Sequence, residues 1–530
     1  MLKRISIFTT ALFLGSATMY AFSGQGSGTE KDPYLVTNAD ELFEVRNDLS
    51  ACYKQINDID LSEWIYEESP NMGWMPIGTS TSPFSGTYDG CNYAIKNLII
   101  NRPNQSGVAL FGCIEEAIIK HVCIVNPLII GGDATAALIG QTKTNSNFKF
   151  ENNTIIGGSI TSNAITAGIV ALCPCIRTDK ITSVISGNYV STTLTGEIVG
   201  GICGKTSGYH YYSSKYFYTD YSIVSVEDNF FDGNIYSSNI ASGIVGDIPY
   251  YLFTSYDANV KINRNISKGT FIASNNLYGI VYDELNRFVE IASNISLADT
   301  LCVYDSNDVN KVCNNIISDN NYSYSGTVVI IKGKNTMLED NGANGIGYGK
   351  NTLMRQSTYE GIGMDFFNLW AINEGESFPY FSRQSKQPED LTFICGNKSY
   401  ISGKAEGNGK VYVFVNETMY ESNVVDGEWC CQLGNIPEET EAKVFYQRQN
   451  MAPSAYIRIH SKKDNTIPDV VVGDSNGDGL VDAADVVSTV NSILGKPSSS
   501  FNEKNADVTG DGQILVDDAV TTINIIIKNQ

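Results

Sequence analysis

The nonapeptide GEIVGGICG, residues 196–204, sets a short apolar run among glycines, and close variants of it return along the chain. They are GVALFG from residue 107, AALIG from 136, AGIV from 167, SGIVG from 242 and YGIV from 278. Marked at Phe111, Ile139, Val170, Cys203, Val245 and Val281, they recur at steps of 28, 31, 33, 42 and 36 residues, a period with insertions. A second phrase runs between the markers as ENNTIIGG, SGNYVSTT, EDNFFDGN, NRNISKGT and SNISLADT. Each copy puts an asparagine before a short strand, at Asn153, Asn188, Asn229, Asn265 and Asn294. Two phrases in phase mean stacked coils. A repeat of short strands without a helix cannot close its own core, so each copy must bury a face on the next, which predicts a parallel β-solenoid. In such a stack, turn asparagines hydrogen-bond from rung to rung and glycine permits the tight corners. The competing architecture is an array of ordinary β-sandwiches, with which the irregular steps are also compatible.

Composition agrees with a mainly β chain. At 530 residues it exceeds one compact core, and 48 Gly, 30 Tyr and only 18% charged residues favour strands and turns over helices. Thirty-six basic against 58 acidic residues leave a net charge of −22, which excludes nucleic acid or an anionic membrane surface as the main ligand. Acidic character suits calcium. The start has a basic Lys3-Arg4 end, an apolar run from Ile5 to Leu14 and small residues before a cut at Ala17 or Ala21, so residues 1–21 read as a secretory signal peptide. The first cysteine is Cys52, which argues against lipid attachment at the cut. No later apolar run reaches the ~18 residues of a span, so the mature chain is expected to lack a transmembrane segment. It is expected to be secreted or extracellular, with any surface association made through a partner. The 12 cysteines, including CPC at Cys173 and Cys175 and CC at Cys430 and Cys431, are scattered. Only three histidines exist (His121, His210 and His460), so the cysteines are expected to be buried or disulfide-bonded rather than zinc-bound.

Residues 22–384 resemble bacterial surface proteins carrying GLUG-type repeats. The likeness rests on FSGQGSGTEKDPYLVTNADEL, on GWMPIGTSTSPFSGTYDGCNYAIKNLIIN (Gly73–Asn101) and on TYEGIGMDFFNLWAINEGESFPYF (Thr358–Phe381). This resemblance implies a right-handed parallel β-helix, mostly of undefined activity. Tyr93 stands where those repeats usually have histidine, and GIVAL and GIVYD lack the final glycine. After Arg383 the polar SKQPEDL marks a boundary, and the alternating strands KVYVFVN, EWCCQL, AKVFYQRQ and AYIRIH follow. Residues 385–462 are similar to bacterial Ig-like β-sandwich modules, through GKAEGNGKVYVFVN and DGEW, which implies a spacer. Residues 463–472 read as a linker.

Near the end, DSNGDGLVDAAD has the spacing of a calcium loop. Calcium takes six to eight oxygens, which a twelve-residue loop supplies from positions 1, 3, 5, 7, 9 and 12 around a glycine at 6. Asp474, Asn476, Asp478, the Leu480 carbonyl, Asp482 and Asp485 fill every position, with Gly479 at the turn. Thirty-three residues on, DVTGDGQILVDD supplies Asp507, Thr509, Asp511, the Gln513 carbonyl and Asp518 around Gly512. Its ninth position is Leu515, so two Ca2+ sites are expected, the first the tighter. Both loops end in Asp where a sensor EF-hand has Glu, and neither leaves room for a preceding helix. One helix follows each loop: DVVSTVNSILG, with Val486, Val487, Val490, Ile493 and Leu494 on one stripe, and DAVTTINIIIKN. The duplicated loop-then-helix unit resembles a type I dockerin over residues 473–530. This resemblance implies a cohesin-bearing partner, faced by loop positions 10 and 11, here Ala483, Ala484, Val516 and Asp517. The same positions are also simple helix-start residues.

The expected function is that of an exported modular protein: a dockerin that binds a cohesin with calcium, and a β-helix that binds glycan or host surface without catalysis. The alternative is a polysaccharide-degrading hydrolase or lyase carried by the dockerin. Glycosidases need two carboxylates across a cleft; the phrases NTD, GHG and RIK are absent, and neither His121 nor His210 has an identifiable partner. The insertions SGYHYYSSKYFYTDYS (Ser207–Ser222) and DIPYYLFTSYD (Asp247–Asp257) follow neighbouring markers. They put Tyr211, Tyr212, Tyr218, Tyr250 and Tyr251 within reach of one shared surface, suited either to ligand recognition or to covering the solenoid flank.

Overall fold

The computed structural model describes residues 22–528 except 145, 176–181, 209–222, 249–258, 284–288, 307, 315–319, 341, 397–398, 464–471 and 479. The signal-peptide segment and all five candidate tyrosines lie outside the described residues, as do Gly479 and most of the expected linker. The chain forms two compact units, one running to Ser385 and including Gln447–Ala455, the other made of Lys386–Tyr446 and Tyr456 onward.

The first unit is a parallel β-solenoid of about seven turns. The repeat markers occupy one position on successive rungs of a six-stranded parallel sheet: Phe111 pairs with Ile139, Ile139 with Val170, Val170 with Cys203, Cys203 with Val245 and Val245 with Val281. Every one of them is fully buried. Strands of the nine-stranded sheet alternate as the pleat requires. Tyr88, Ile119, Phe150, Ile185, Val226 and Ile262 stack inward, while their neighbours Asp89, Lys120, Glu151, Ser186 and Glu227 form an outward column. A period of two within each strand and a period near 30 between strands therefore act together, filling the bore with aliphatic and aromatic side chains.

The phased asparagines form a buried ladder. Asn188 Nδ2 donates to Asn229 Oδ1 at 2.9 Å, Asn229 Nδ2 to Asn265 Oδ1 at 3.0 Å, and Asn265 Nδ2 to Asn294 Oδ1 at 3.0 Å. Each ladder amide also donates inward to a carbonyl of the preceding turn, such as Ile185 O at 2.8 Å from Asn229. The residue before each ladder position turns the corner with positive φ, at Asn152, Gly187, Asp228, Arg264 and Ser293. Glycine is required where backbones touch: at Gly269, with φ 121°, a Cβ would fall 1.8 Å from Gly233 O.

The amino-terminal end of the bore is covered by helices α1 (Ala39–Glu44) and α2 (Ser62–Glu68) and an aromatic group of Phe43, Trp64 and Trp74. The segment after helix α3 (Lys350–Leu353) returns along the corner column. Trp370 stacks on Phe381 at 4.4 Å and its Nε1 donates to Asp228 Oδ1 at 3.2 Å, while the half-buried Arg383 donates to Gly187 O and Asn152 Oδ1. No disulfide joins the described cysteines, although Cys173 and Cys203 bring their Sγ atoms to 3.3 Å. No described helix is long and apolar enough to cross a membrane.

In the second unit two four-stranded sheets share one core. One contains Glu389–Cys395, Tyr400–Lys404, Glu428–Gln432 and Lys462–Lys463; the other contains Gly409–Val415, Thr418–Asn423, Glu441–Arg448 and Ile457–His460. Ile401, Trp429 and Cys431 face Val411, Val413 and Val444 across the interior. Helices α4 (Ala483–Ile493), α5 (Glu503–Ala506) and α6 (Val516–Lys528) complete the chain.

Candidate calcium-binding and docking site

The first loop wraps its own backbone around its carboxylates. Asp478 N donates to Asp474 Oδ1 at 3.0 Å and to Asn476 Oδ1 at 2.8 Å, while Asn476 N reaches Asp485 Oδ1 at 3.0 Å. Asp482 caps α4, accepting from Ala484 N at 2.7 Å, and Asp485 completes a capping box by accepting from Asp482 N at 2.9 Å. Positions 9 and 12 thus start the helix as well as offering oxygen. Ala483 and Ala484 are consequently its first two residues, both exposed.

The second loop repeats the design with different partners. Asp507 accepts from Gly510 N, Asp511 N and Gly512 N at 2.8, 3.1 and 2.8 Å. Asp518 accepts from Thr509 N and Leu515 N, and from Thr509 Oγ1 at 3.0 Å. Contrary to the expectation from sequence, a helix does precede this loop: the single turn α5, capped by Asn502, ends just before Asp507. Val516 and Asp517 are the exposed first residues of α6.

Among the described residues no three His, Cys, Asp or Glu side chains are gathered into a ready ion cage. The donor set nonetheless has the chemistry of a cation site. Asp485 is fully buried, and burial, together with the charges of Asp474 and Asp478, raises its carboxyl pKa above the usual range despite two backbone hydrogen bonds. A buried carboxylate opposed by the charges of two others in its loop is what a divalent cation would relieve. At Asp518 burial also opposes the charge, but hydrogen bonds from Leu515 and Thr509 outweigh it and hold the carboxyl low. The second loop therefore stabilises its own carboxylate by hydrogen bonding, and has less need of a cation.

The helices supply the facing that the sequence left open. Val486, Val487, Val490, Ile493 and Leu494 were expected to share a stripe, which in an ordinary amphipathic helix would face a core. In α4 the buried residues are instead Asp485, Ser488 and Thr489, and in α6 they are Asp518, Ala519 and Thr522. Val487 is 58% exposed, Leu494 67% and Ile527 65%, with Val490, Val520 and Ile523 also outward. The fully buried positions of the two helices are thus aspartate, small and hydroxyl side chains, while part of their aliphatic residues turn to solvent and Val486, Ile493, Ile525 and Ile526 stay half-buried. Sequence periodicity located the stripe but could not say which side faced the partner helix.

On the solenoid, carboxylates are matched to bases on neighbouring rungs. Lys120 lies 3.3 Å from Asp89, Lys268 3.1 Å from Asp232, Lys205 2.9 Å from Asp247, and Arg264 2.7 Å from both Glu227 and Asp228. His121, unpartnered in the sequence reading, has Nδ1 3.1 Å from Asp89 Oδ1.

Residues 472–526 match the family model described as dockerin type I domain. Type I dockerin domains bind calcium. Over 142 residues the chain is 32% identical to the "Putative Gly-rich membrane protein" of Evansella cellulosilytica, a match covering 26% of this chain and 16% of that one. Over 150 residues it is 33% identical to Halomucin of Haloquadratum walsbyi, covering 27% and 1%. The matched stretch thus spans a small part of either curated relative. Among solved structures, a "putative immunoglobulin A1 protease" from Bacteroides ovatus aligns with 16% identity and a TM-score of 0.44, over 67% of this chain and 94% of that one. Residues 472–526 are a type I dockerin domain, carried by a chain whose larger unit is a parallel β-solenoid.

Proposed function

We propose that this is an exported modular protein whose terminal domain docks to a cohesin in a calcium-dependent way, presenting the solenoid as cargo. The observation that carries this reading is the inverted packing of α4 and α6, which leaves Val487, Val490, Leu494, Val520, Ile523 and Ile527 outward beside two aspartate loops. An apolar face of this kind is stable in isolation only at a cost in solubility, and a protein partner relieves it. The ligands proposed for calcium are Asp474, Asn476, Asp478, the Leu480 carbonyl, Asp482 and Asp485 at one site, and Asp507, Thr509, Asp511, the Gln513 carbonyl and Asp518 at the other. The ion would supply charge neutralisation at Asp485 and Asp518 and lock each helix start. Ala483, Ala484, Val516 and Asp517 border the docking face. The sandwich at 385–462 serves as an Ig-like spacer.

The GLUG-like solenoid is assigned a non-catalytic role in binding glycan or a host surface. What supports the non-catalytic role is that carboxylates on the rungs, Asp89, Asp232 and Asp247, are engaged in ion pairs with lysines of neighbouring rungs. Titration calorimetry of the full chain against a panel of type I cohesin modules, with calcium and with chelator, tests the docking. Binding is expected with calcium alone, and Val487→Ser with Leu494→Ser should weaken it at least about tenfold, ~1.4 kcal/mol. No binding under either condition overturns it. A glycan array run beside a reducing-sugar assay tests the cargo: sugar release overturns the non-catalytic role, and silence in both overturns glycan recognition.

A further inference from the structure

The amino-terminal end of the solenoid carries two arginines that make no ion pair among the described residues. Arg46 follows α1, and Arg102 ends the strand Ile99–Arg102. Each is anchored through its Nε: Arg46 donates to Phe43 O at 2.7 Å, and Arg102 to Trp74 O at 3.1 Å. Arg46 Nη2 reaches Met75 O at 2.9 Å, and Arg102 Nη1 is 3.5 Å from Gln105 Oε1. The two guanidinium groups thus hold consecutive residues of one segment. The Arg46 plane lies 3.7 Å over the Phe43 ring and 5.5 Å from Trp74, which fixes its orientation. Among the described residues, Arg46 Nη1 and Arg102 Nη2 have no acceptor.

We propose that Arg46 and Arg102 form a binding site for an oxyanion, a carboxylate or a sulfate group. Guanidinium forks match the planar or tetrahedral arrangement of such oxygens, and a fork already held at Nε loses little freedom on binding. The surroundings are consistent. Both side chains are half-buried, where an unneutralised charge is costly. Burial first, and then the charge of Arg102, lower Arg46 from its ordinary value to about 10, and no carboxylate opposes that shift. In a chain of net charge −22, two adjacent cations without an acid stand out against their setting. Met75, whose carbonyl Arg46 holds, is 44% exposed and would accommodate the body that carries the anion.

The test uses the full chain and two probes, inorganic sulfate and glucuronate, against chloride at equal ionic strength. Arginine Nε–Hε resonances and melting temperature are followed in the native protein, in Arg102→Gln and in Arg46→Lys. Arg102→Gln leaves Arg46 stacked on Phe43, so a fold defect does not obscure the reading. Native protein is expected to show saturable shifts and a raised melting temperature, with binding weakened at least about tenfold in Arg102→Gln. Arg46→Lys should bind more weakly than native while melting as native does in chloride. Equal affinity for both probes assigns recognition to the oxyanion alone, and tighter glucuronate assigns it to an acid sugar. Absence of saturable shifts with both probes, or unchanged affinity in Arg102→Gln, overturns the proposal.

Discussion

The solenoid and the terminal dockerin domain bury opposite kinds of side chain. Within the solenoid, Phe111, Ile139, Val170 and Val245 fill the bore and the outward columns are polar or ion-paired. In the dockerin domain, Ser488, Thr489, Ala519 and Thr522 lie inside with two aspartates, and Val487, Val490, Leu494, Val520, Ile523 and Ile527 lie outside. One region is held by burial of apolar area extended rung by rung. The other has little apolar area of its own to bury, and in the proposed reading an ion inside and a partner outside make up the difference. A stacked repeat can add core indefinitely, whereas about 55 residues with two helices cannot.

Removing calcium should separate the two regions most sharply. With chelator in excess, amides of residues 473–528 are expected to lose hydrogen-exchange protection while the solenoid strands keep theirs, and added calcium should restore it. Each occupied site supplies ~2.7 kcal/mol when free ion exceeds its Kd about a hundredfold. Uniform protection with and without calcium would break the comparison. Between the loops, Asp485→Asn should raise the calcium requirement more than Asp518→Asn, because at Asp485 burial and neighbouring carboxylates outweigh the hydrogen bonds, whereas at Asp518 the hydrogen bonds prevail; calcium titration by calorimetry measures this.

A smaller effect is expected from the bore. Phe111→Ala leaves a cavity at a fully buried position and should destabilise the solenoid by about 3–5 kcal/mol in denaturant titration, with the dockerin domain unaffected. Smaller again is the ladder. Asn229→Ala strands the Asn188 backbone and side-chain N–H groups that Asn229 accepts at 3.1 and 2.9 Å, at about 1–3 kcal/mol for each buried group. The smallest change sharpens the contrast. Leu494→Ser should alter the stability of the calcium-loaded domain by under ~0.5 kcal/mol, since the side chain is 67% exposed, yet weaken cohesin binding. A large loss of stability would mean that this face packs inward.

Acid should act on the solenoid flank. Burial opposes the Asp89 carboxylate, but hydrogen bonds from His121 and the Cys91 amide and the charge of Lys120 outweigh it, so its folded pKa lies below the unfolded one. The associated stability is present above the unfolded carboxylate range near pH ~4 and is lost as pH falls through the folded value. Asp89→Asn should flatten that part of the stability profile.

Repeat phrases, ladder asparagines and the two aspartate loops were all legible in the linear chain, because each rests on a fixed spacing of residue types. Markers about 30 residues apart became one column, and every phased asparagine from Asn153 to Asn294 joined one ladder. Spacing also located the loops, since a twelve-residue coordination pattern is local. What spacing could not reveal is which face of a local element turns inward. The stripe on α4 was placed by the sequence but left without a facing, because the inside of a helix pair is set by what the partner helix and the buried carboxylates leave room for. Likewise His121 and Asp89 are 32 residues apart, Trp370 and Asp228 142, and Arg383 and Asn152 231. Periodicity in the chain determined the coil and its register, because those repeat in every turn. Only the tertiary structure decided the single, unrepeated contacts: the return of Trp370 and Arg383 along the corner column, the two unpaired arginines near the amino terminus, and the outward apolar face of the dockerin helices.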